Sequence, residues 1–339
     1  MSGGDLPAGL DPRQLFACAG APLRVLVAVS GGPDSMALLH LAARWRDLGG
    51  PQVHAATVDH DLREGSRAEA EQVALWARAL KVPHAILTWT GERPKTKLQE
   101  RARAARYRLL EGFAREIGAE VLLTGHHAGD QAETILFRLL RGSGVGGLAA
   151  MAQVSQRGSH RLVRLLLHHA KADLIGFCAA VGQAYVEDPS NRDPRFARTD
   201  LKRLLALLEP EGLGTGELLR LGRRAARAEE ALRAGVADLR ARLSPLITED
   251  RFECEAALLR DVPLELLLRL LEAEISRLGE GAPRLDRLER LGAGVSAAIA
   301  SAGVFAGTLA GALVRVTRRG RLTVNPAPPR RATQSKSPG

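Results

Sequence analysis

Three stretches of the 339-residue chain carry residue types suited to phosphate, amine and nucleic-acid chemistry. The first is Ser30-Gly31-Gly32-Pro33-Asp34-Ser35, which follows an apolar β-branched run and precedes a helical pattern. Strand, glycine loop and helix N-terminus in that order aim backbone N–H groups at an anion, and the helix dipole adds to the attraction. The lysine that completes a Walker loop, G-x-x-x-x-G-K-S/T, is missing; Asp34 stands in the loop instead. A carboxylate beside phosphates is chemically sensible when a magnesium ion lies between them. By itself the hexapeptide reads equally as a tight strand-to-helix turn capped by Ser30 or Ser35.

The second stretch holds His126, Asp130 and Glu133, with the carboxylates four and seven residues after the histidine. On a helix beginning near Asp130 that spacing lines all three along one face. Asp130-x-x-Glu133 also has the spacing of a helix-capping box. The third is a set of arginines. Arg103 and Arg106 sit three apart beside Tyr107, which is able to stack, and Arg220, Arg223, Arg224 and Arg227 follow an i, i+3, i+4, i+7 stripe. Such faces suit nucleic-acid phosphates, although most charged helix faces are merely solvated. The same two readings apply to Arg138 and Arg141.

The elements that must position these groups alternate through the first two hundred residues. Strand-like runs cover 25–29, 53–58, 85–90, 121–124 and 162–167; helix-like runs cover 35–45, 66–80, 98–117, 130–140 and 171–181. Alternation with short connections predicts an α/β fold with a parallel five-stranded sheet and helices on both faces. Such sheets bind ligands beyond the carboxyl ends of their strands, where the stretches at 30–35, 59–63 and 125–130 all fall. After 209–212 the character changes to Leu-rich and Arg-rich helices, ending in a hairpin pattern around a turn at 317–320. The expected organisation is an N-terminal extension over 1–22, a catalytic domain over 23–212, a smaller mainly helical domain over 213–325 and a disordered basic tail over 326–339.

Composition narrows the function classes. The formal charge is +10, with a pI near 10.3, which suggests a polyanionic partner; an Arg-rich and Ala-rich compositional habit is the plainer alternative. The run Arg315, Arg318, Arg319, Arg321, Arg330 and Arg331 has no intervening acid and strengthens the nucleic-acid reading. Cys18, Cys178 and Cys254 are far apart, which excludes a local zinc knuckle and favours a reducing, cytoplasmic compartment. Residues 292–314 carry no charge, yet Ala, Gly and Ser dominate them, with glycines at 292, 294, 303, 307 and 311. A buried helix followed by a turn and strand is expected there, and no membrane association. The N-terminus has no apolar secretory core.

"SGGPDS" resembles the S-G-G-x-D-S signature of the PP-loop pyrophosphatases, whose loop holds pyrophosphate as ATP is split into AMP and pyrophosphate. Residues 57–73 (TVDHDLREGSRAEAEQV) resemble the V-D/N-H-x-L-R segment of the tRNA(Ile)-lysidine synthetase family. Residues 99–110 (QERARAARYRLL) are similar to that family's E-x-A-R-x-x-R-Y helix, and 187–198 (EDPSNRDPRFAR) to its E-D-x-S-N-x-D segment. Residues 122–151 match its H-H-x-x-D-Q-x-E-T and R-G-S-G-x-x-G-L-x-x-M motifs over thirty residues. Two positions depart from the common pattern: Gly129 stands where many members have a second Asp, and Thr199-Asp200 follows Arg198.

The resemblance implies a Rossmann-like sheet of the adenine nucleotide α-hydrolase type and a definite reaction. ATP adenylates the C2 carbonyl oxygen of the wobble cytidine in an isoleucine tRNA with a CAU anticodon, and L-lysine then attacks C2 and displaces AMP. Ser30, Gly31, Gly32, Pro33, Asp34 and Ser35 are the implied pyrophosphate cradle, with Asp59, His60 and Gly125 as candidates on the adenosine side. Asp130 and Glu133 are assigned to lysine and metal, His126 to the nucleotide or to proton transfer, and Asp34 with Asp130 to Mg²⁺. Arg103, Arg106, Arg198, Arg220, Arg223, Arg224 and Arg227 are the tRNA candidates. Two alternatives remain open at this level: a PP-loop tRNA thiolase, which three isolated cysteines do not favour, and a catalytically weak tRNA-binding homologue. The oligomeric state is left open, a homodimer included.

Overall fold

The computed structural model describes residues 10–60, 65–90, 98–186 and 197–328; the side chains of 98–99 and 197–199 lie outside the described set. The chain forms two compact units, Met1–Ala226 and Arg227–Gly339.

In the first unit, β1 (Arg24–Ala28), β2 (Gln52–Asp59), β3 (His84–Thr88), β4 (Val121–Thr124), β5 (Val154–Arg157) and β6 (His160–Val163) make one sheet in the order β3-β2-β1-β4-β6-β5. Five strands are parallel, as the alternating pattern predicts; β5 adds an antiparallel edge by pairing Ser155 with Leu162. The strand expected over 162–167 ends at Val163, and Leu165 to Leu167 continue as a buried turn. Chain order reverses direction across the sheet at β1, whose neighbours are β2 and β4. In sheets of this topology such a switch, here at the carboxyl ends of β1 and β4, is where ligands bind.

Strand pleating sends alternate side chains to opposite faces. Val25, Val27, Val121 and Leu123 pack with α2 (Pro33–Asp47), α3 (Ser66–Ala79) and α7 (Lys171–Ala180), while Leu26, Leu122 and Leu162 pack with α4 (Leu98–Glu116). Burial on both faces explains why β1 reads as a continuous apolar run. A third cluster joins α5 (Ala128–Leu140) to α8 (Ala197–Leu208) and to Leu218 of α9 (Thr215–Leu243), next to α6 (Val145–Leu148). Because Leu218 and Gly222 pack against α5, the first unit runs past the Pro-Gly turn at 209–212 and closes inside α9.

The second unit holds the rest of α9, α10 (Leu264–Leu278) and α11 (Leu285–Ala300), with a five-stranded antiparallel sheet ordered β7-β8-β11-β10-β9. Its strands are β7 (Leu246–Ile247), β8 (Phe252–Glu255), β9 (Phe305–Leu309), β10 (Ala312–Val316) and β11 (Arg321–Pro326). The expected hairpin is β10–β11, and the uncharged stretch at 292–314 is the buried part of α11 followed by β9 and β10. Its glycines serve packing: a Cβ at Gly292 would run into Leu268 of α10, and one at Gly294 into Phe305. No helix among the described residues is long and apolar enough to cross a membrane.

Candidate active site

The loop after β1 is built around Gly31 and Ser35. Gly31 has φ +87°, and a Cβ there would lie 3.1 Å from the γ-methyls of Val73 and Val186, so both conformation and space demand glycine. Gly32 is the N-cap of α2 and Pro33 takes the first helical position, where the missing N–H is no loss. Ser35 does not cap the helix. Its Oγ accepts the Ser30 N–H at 3.1 Å, donates to the Gly32 carbonyl at 3.0 Å and lies 3.3 Å from Ser30 Oγ. The loop is thereby closed on itself without using the first N–H groups of α2.

The second wall comes from the end of β4. Gly125 passes so close to α2 that a Cβ would stand 3.1 Å from the Asp34 carbonyl and from the Ser35 nitrogen. This contact brings the 30–35 loop and the 126–133 stretch together at the carboxyl ends of β1 and β4. His126 Nδ1 bonds Thr124 Oγ1 at 2.9 Å. Burial drives its pKa down to about 4; Asp130 opposes the shift, and Arg164, Arg106 and Arg103 reinforce it. His126 is therefore a neutral imidazole at pH 7.

Asp130 has a different partner from the one its spacing with Glu133 suggests. The capping box pairs it with His127: the His127 N–H donates to Asp130 Oδ2 at 3.1 Å, and the Gly129 N–H donates to His127 Nδ1 at 3.0 Å. An accepting Nδ1 puts the neutral ring's proton on Nε2, which lies 3.7 Å from both Asp34 Oδ2 and Asp130 Oδ2. Gly129 permits this arrangement, since a Cβ there would sit 2.8 Å from His127 Cε1.

Asp34 stands between basic and acidic neighbours. Burial raises its carboxyl pKa, with His127 and Lys171 pulling it back down and Asp130 pushing it up. Its Oδ1 is buried and has no hydrogen-bond partner among the described residues. Lys171, the first residue of α7, brings its Nζ to 3.9 Å from Asp34 Oδ2. Glu133 is 8% exposed, and the Lys202 ammonium stands 4.0 Å from its Oε1. Among the described residues no group of three or more His, Cys, Asp or Glu is arranged to hold a metal.

On the opposite side of β1, Asp59 is buried at the end of β2 and accepts the Ser66 hydroxyl at 2.8 Å. His60 meets Trp89 edge-on at 5.9 Å, and burial lowers its pKa. The rest of that motif, 61–64, and the segment at 187–196 lie outside the described residues, as does the side chain of Arg198.

The arginines divide. Tyr107, read from the sequence as able to stack, is 2% exposed: the Arg157 guanidinium covers its ring at 4.0 Å, with Arg103 and Arg106 each at 5.5 Å. Arg103 itself is exposed and Arg106 half-buried. Arg138 is structural, donating to the carbonyls of Gly147 and Ala150, whereas exposed Arg141 lies 4.3 Å over Phe137. Arg220 is exposed but paired with Glu217; Arg223, Arg224 and Arg227 are exposed on α9.

Two residues at the centre of the site are not among the sequence candidates. His127 was visible only as the second member of a His-His pair. Lys171 had no motif signal at all, because its place beside Asp34 depends on how α7 packs against α2.

Residues 13–208 match the PP-loop domain family. The chain is 43% identical to the tRNA(Ile)-lysidine synthase of Rhodopseudomonas palustris, over 98% of this chain and 99% of that one. It is 46% identical to the Methylobacterium nodulans tRNA(Ile)-lysidine synthase, over 92% and 93%. Among solved structures, a U34-tRNA thiolase from Methanococcus maripaludis shares the fold, with a TM-score of 0.54 at 16% identity over 65% of this chain and 78% of that one. Since the family match spans residues 13–208 and the similarity to these synthases runs through both compact units, the chain belongs to the tRNA(Ile)-lysidine synthase family.

Proposed function

We propose that this protein ligates L-lysine to C2 of cytidine 34 in the CAU anticodon of isoleucine tRNA, consuming ATP and releasing AMP and pyrophosphate. The observation that carries the reading is the close approach of Gly125 to the Asp34–Ser35 backbone. It joins a helix N-terminus suited to phosphate to a cluster of carboxylates and a neutral histidine.

The C2 carbonyl oxygen of cytosine is a poor leaving group. In the first step that oxygen attacks the α-phosphorus, the α–β bridge breaks and pyrophosphate leaves. In the second, the lysine ε-nitrogen attacks C2, the C2–O bond breaks and AMP departs with the oxygen, while the nitrogen loses its proton. The loop and the α2 N-terminus would hold the phosphates. Asp34 is the carboxylate that suits Mg²⁺, having a buried Oδ1 with no hydrogen-bond partner among the described residues; one carboxylate plus substrate phosphates is a common setting for that ion. A bound Mg²⁺ would neutralise charge developing on the transferred phosphoryl group.

A free lysine ammonium has a pKa of about 10.4, so it must be bound as a cation and deprotonated before it attacks. Glu133 and Asp130 are suited to binding it, and the approach of Lys202 to Glu133 is an internal example of an ammonium reaching that carboxylate. His126, neutral at pH 7 and made a weak base by burial, is suited to bond the nucleotide without adding charge rather than to take the lysine proton. Exposed Arg103, Arg223, Arg224 and Arg227 are suited to tRNA phosphates. ATP and tRNA as substrates go with a cytoplasmic location.

The test is incorporation of labelled lysine into isoleucine tRNA, with methionine tRNA of the same anticodon as the control. Incorporation should require ATP and yield AMP and pyrophosphate. No incorporation by folded protein would refute the reading.

A further inference from the structure

The phosphate loop contains an acid and no base, yet it must receive a polyanion. Asp34 would repel a triphosphate unless cations lie close by. Among the described residues, the structure places two basic side chains on Asp34 Oδ2: His127 at 3.7 Å and Lys171 at 3.9 Å.

They are not equivalent. His127 is held inward. Its Nδ1 accepts the Gly129 N–H, its Nε2 faces two carboxylates, and its side chain is 12% exposed. Lys171 is 45% exposed, makes no hydrogen bond among the described residues, and meets Asp34 only at the outer limit of an ion pair. A half-exposed pair at that distance contributes little stability. The backbone beneath it is firmly set: Leu174, Phe177 and Cys178 of α7 are fully buried in the core shared with α2, and Cys178 Sγ donates to the Pro33 carbonyl at 3.5 Å. A flexible ammonium therefore stands on a rigid base, beside the helix N-terminus where phosphate oxygens would bind. A lysine suits that task because it acts as a point charge with three rotatable donors.

We infer that Lys171 supplies, from α7, the phosphate-binding cation that the Ser30–Ser35 loop lacks, contacting the β- or γ-phosphate oxygens of ATP. This rests on the proposed use of ATP at the loop. When nucleotide binds, the ammonium moves from Asp34 to the phosphates and leaves the carboxylate free.

The experiment compares Lys171→Ala and Lys171→Arg with the unaltered protein, titrating α,β-methylene ATP and AMP calorimetrically and measuring KM for lysine and tRNA. Losing a charge-assisted contact should weaken binding of the ATP analogue by about tenfold to a hundredfold in Lys171→Ala. Lys171→Arg should recover most of the loss. AMP affinity, the KM values for lysine and tRNA and the melting temperature should stay as in the unaltered protein. A purely structural role for Lys171 would lower AMP and ATP affinity together, or lower the melting temperature, and would overturn the inference. Unchanged analogue binding in Lys171→Ala would also overturn it. If the unaltered protein bound no ATP analogue, the proposed function itself would fail first.

Discussion

Replacing Gly31 by Ala tests whether the loop is a crowded, strained cradle. Gly49 is a nearly ideal control, because its φ is +90° against +87° for Gly31 while no heavy atom lies within 4 Å of its added Cβ. Both substitutions force alanine into a conformation costing about 1–2 kcal/mol, offset by about 0.4–1 kcal/mol from the stiffer unfolded chain. Only at position 31 does the new methyl press on Val73 and Val186, each at 3.1 Å. Overpacking of that kind costs a further amount of about 1–3 kcal/mol. Gly49→Ala should thus lose about 1 kcal/mol, and Gly31→Ala about 2–4 kcal/mol. Trp45, Trp76 and Trp89 all lie in the first unit, so urea unfolding followed by tryptophan fluorescence reports on the right part of the molecule. Nucleotide binding should separate the pair further, with the ATP analogue binding Gly49→Ala normally and Gly31→Ala weakly. Equal destabilisation, or normal nucleotide binding by Gly31→Ala, would refute the reasoning.

Three further outcomes are expected. Gly125→Ala pushes on backbone atoms of Asp34 and Ser35 at 3.1 Å and should raise KM for ATP several-fold with little change in lysine KM; steady-state kinetics would decide it. Burial lowers the pKa of His84 and of His126 to about 4, and lowers those of His40, His54, His60 and His169 as well. The unfolded chain therefore takes up protons that the native state refuses, so stability should fall as pH drops from about 6.5 towards 4 and level off above about 6.5. Asp34 acts in the opposite sense, and urea midpoints at pH 7.5 and 5.0 measure the balance; an unchanged midpoint would contradict it. Arg223→Glu and Arg224→Glu should raise the KM for tRNA and flatten its salt dependence by about one unit of slope per lost phosphate contact. Unaltered tRNA kinetics in both variants would remove α9 from the interface.

Much of the architecture was legible in the residues. Apolar runs alternating with helical patterns identified the five parallel strands and their helices, because that alternation leaves few ways to bury both faces of a sheet. β5 was not legible: Val154–Arg157 is short, polar and half-exposed, and it becomes a strand by pairing with β6. The end of the first unit was hidden for a related reason. The Pro-Gly turn looks like a linker, but the start of α9 is held by an apolar contact with α5 across some eighty residues of sequence, and no local pattern records such a contact.

At the site the division is sharper. Motif spacing together with the family resemblance marked the Ser30–Ser35 loop, Asp34, His126, Asp130 and Glu133; spacing by itself left a turn or capping reading equally open, since nests, caps and helix faces share the same local geometry. Spacing also suggested that Asp130 caps with Glu133 and that Tyr107 is free to stack. The tertiary structure gives Asp130 to His127 and covers Tyr107 with Arg157. The sequence by itself determined that the glycine loop would meet carboxylates at one sheet edge. Only the fold decided that Gly125 nearly touches the loop and that Lys171 reaches Asp34 from the other side, because those distances are set by helices and strands packing over long separations in the chain.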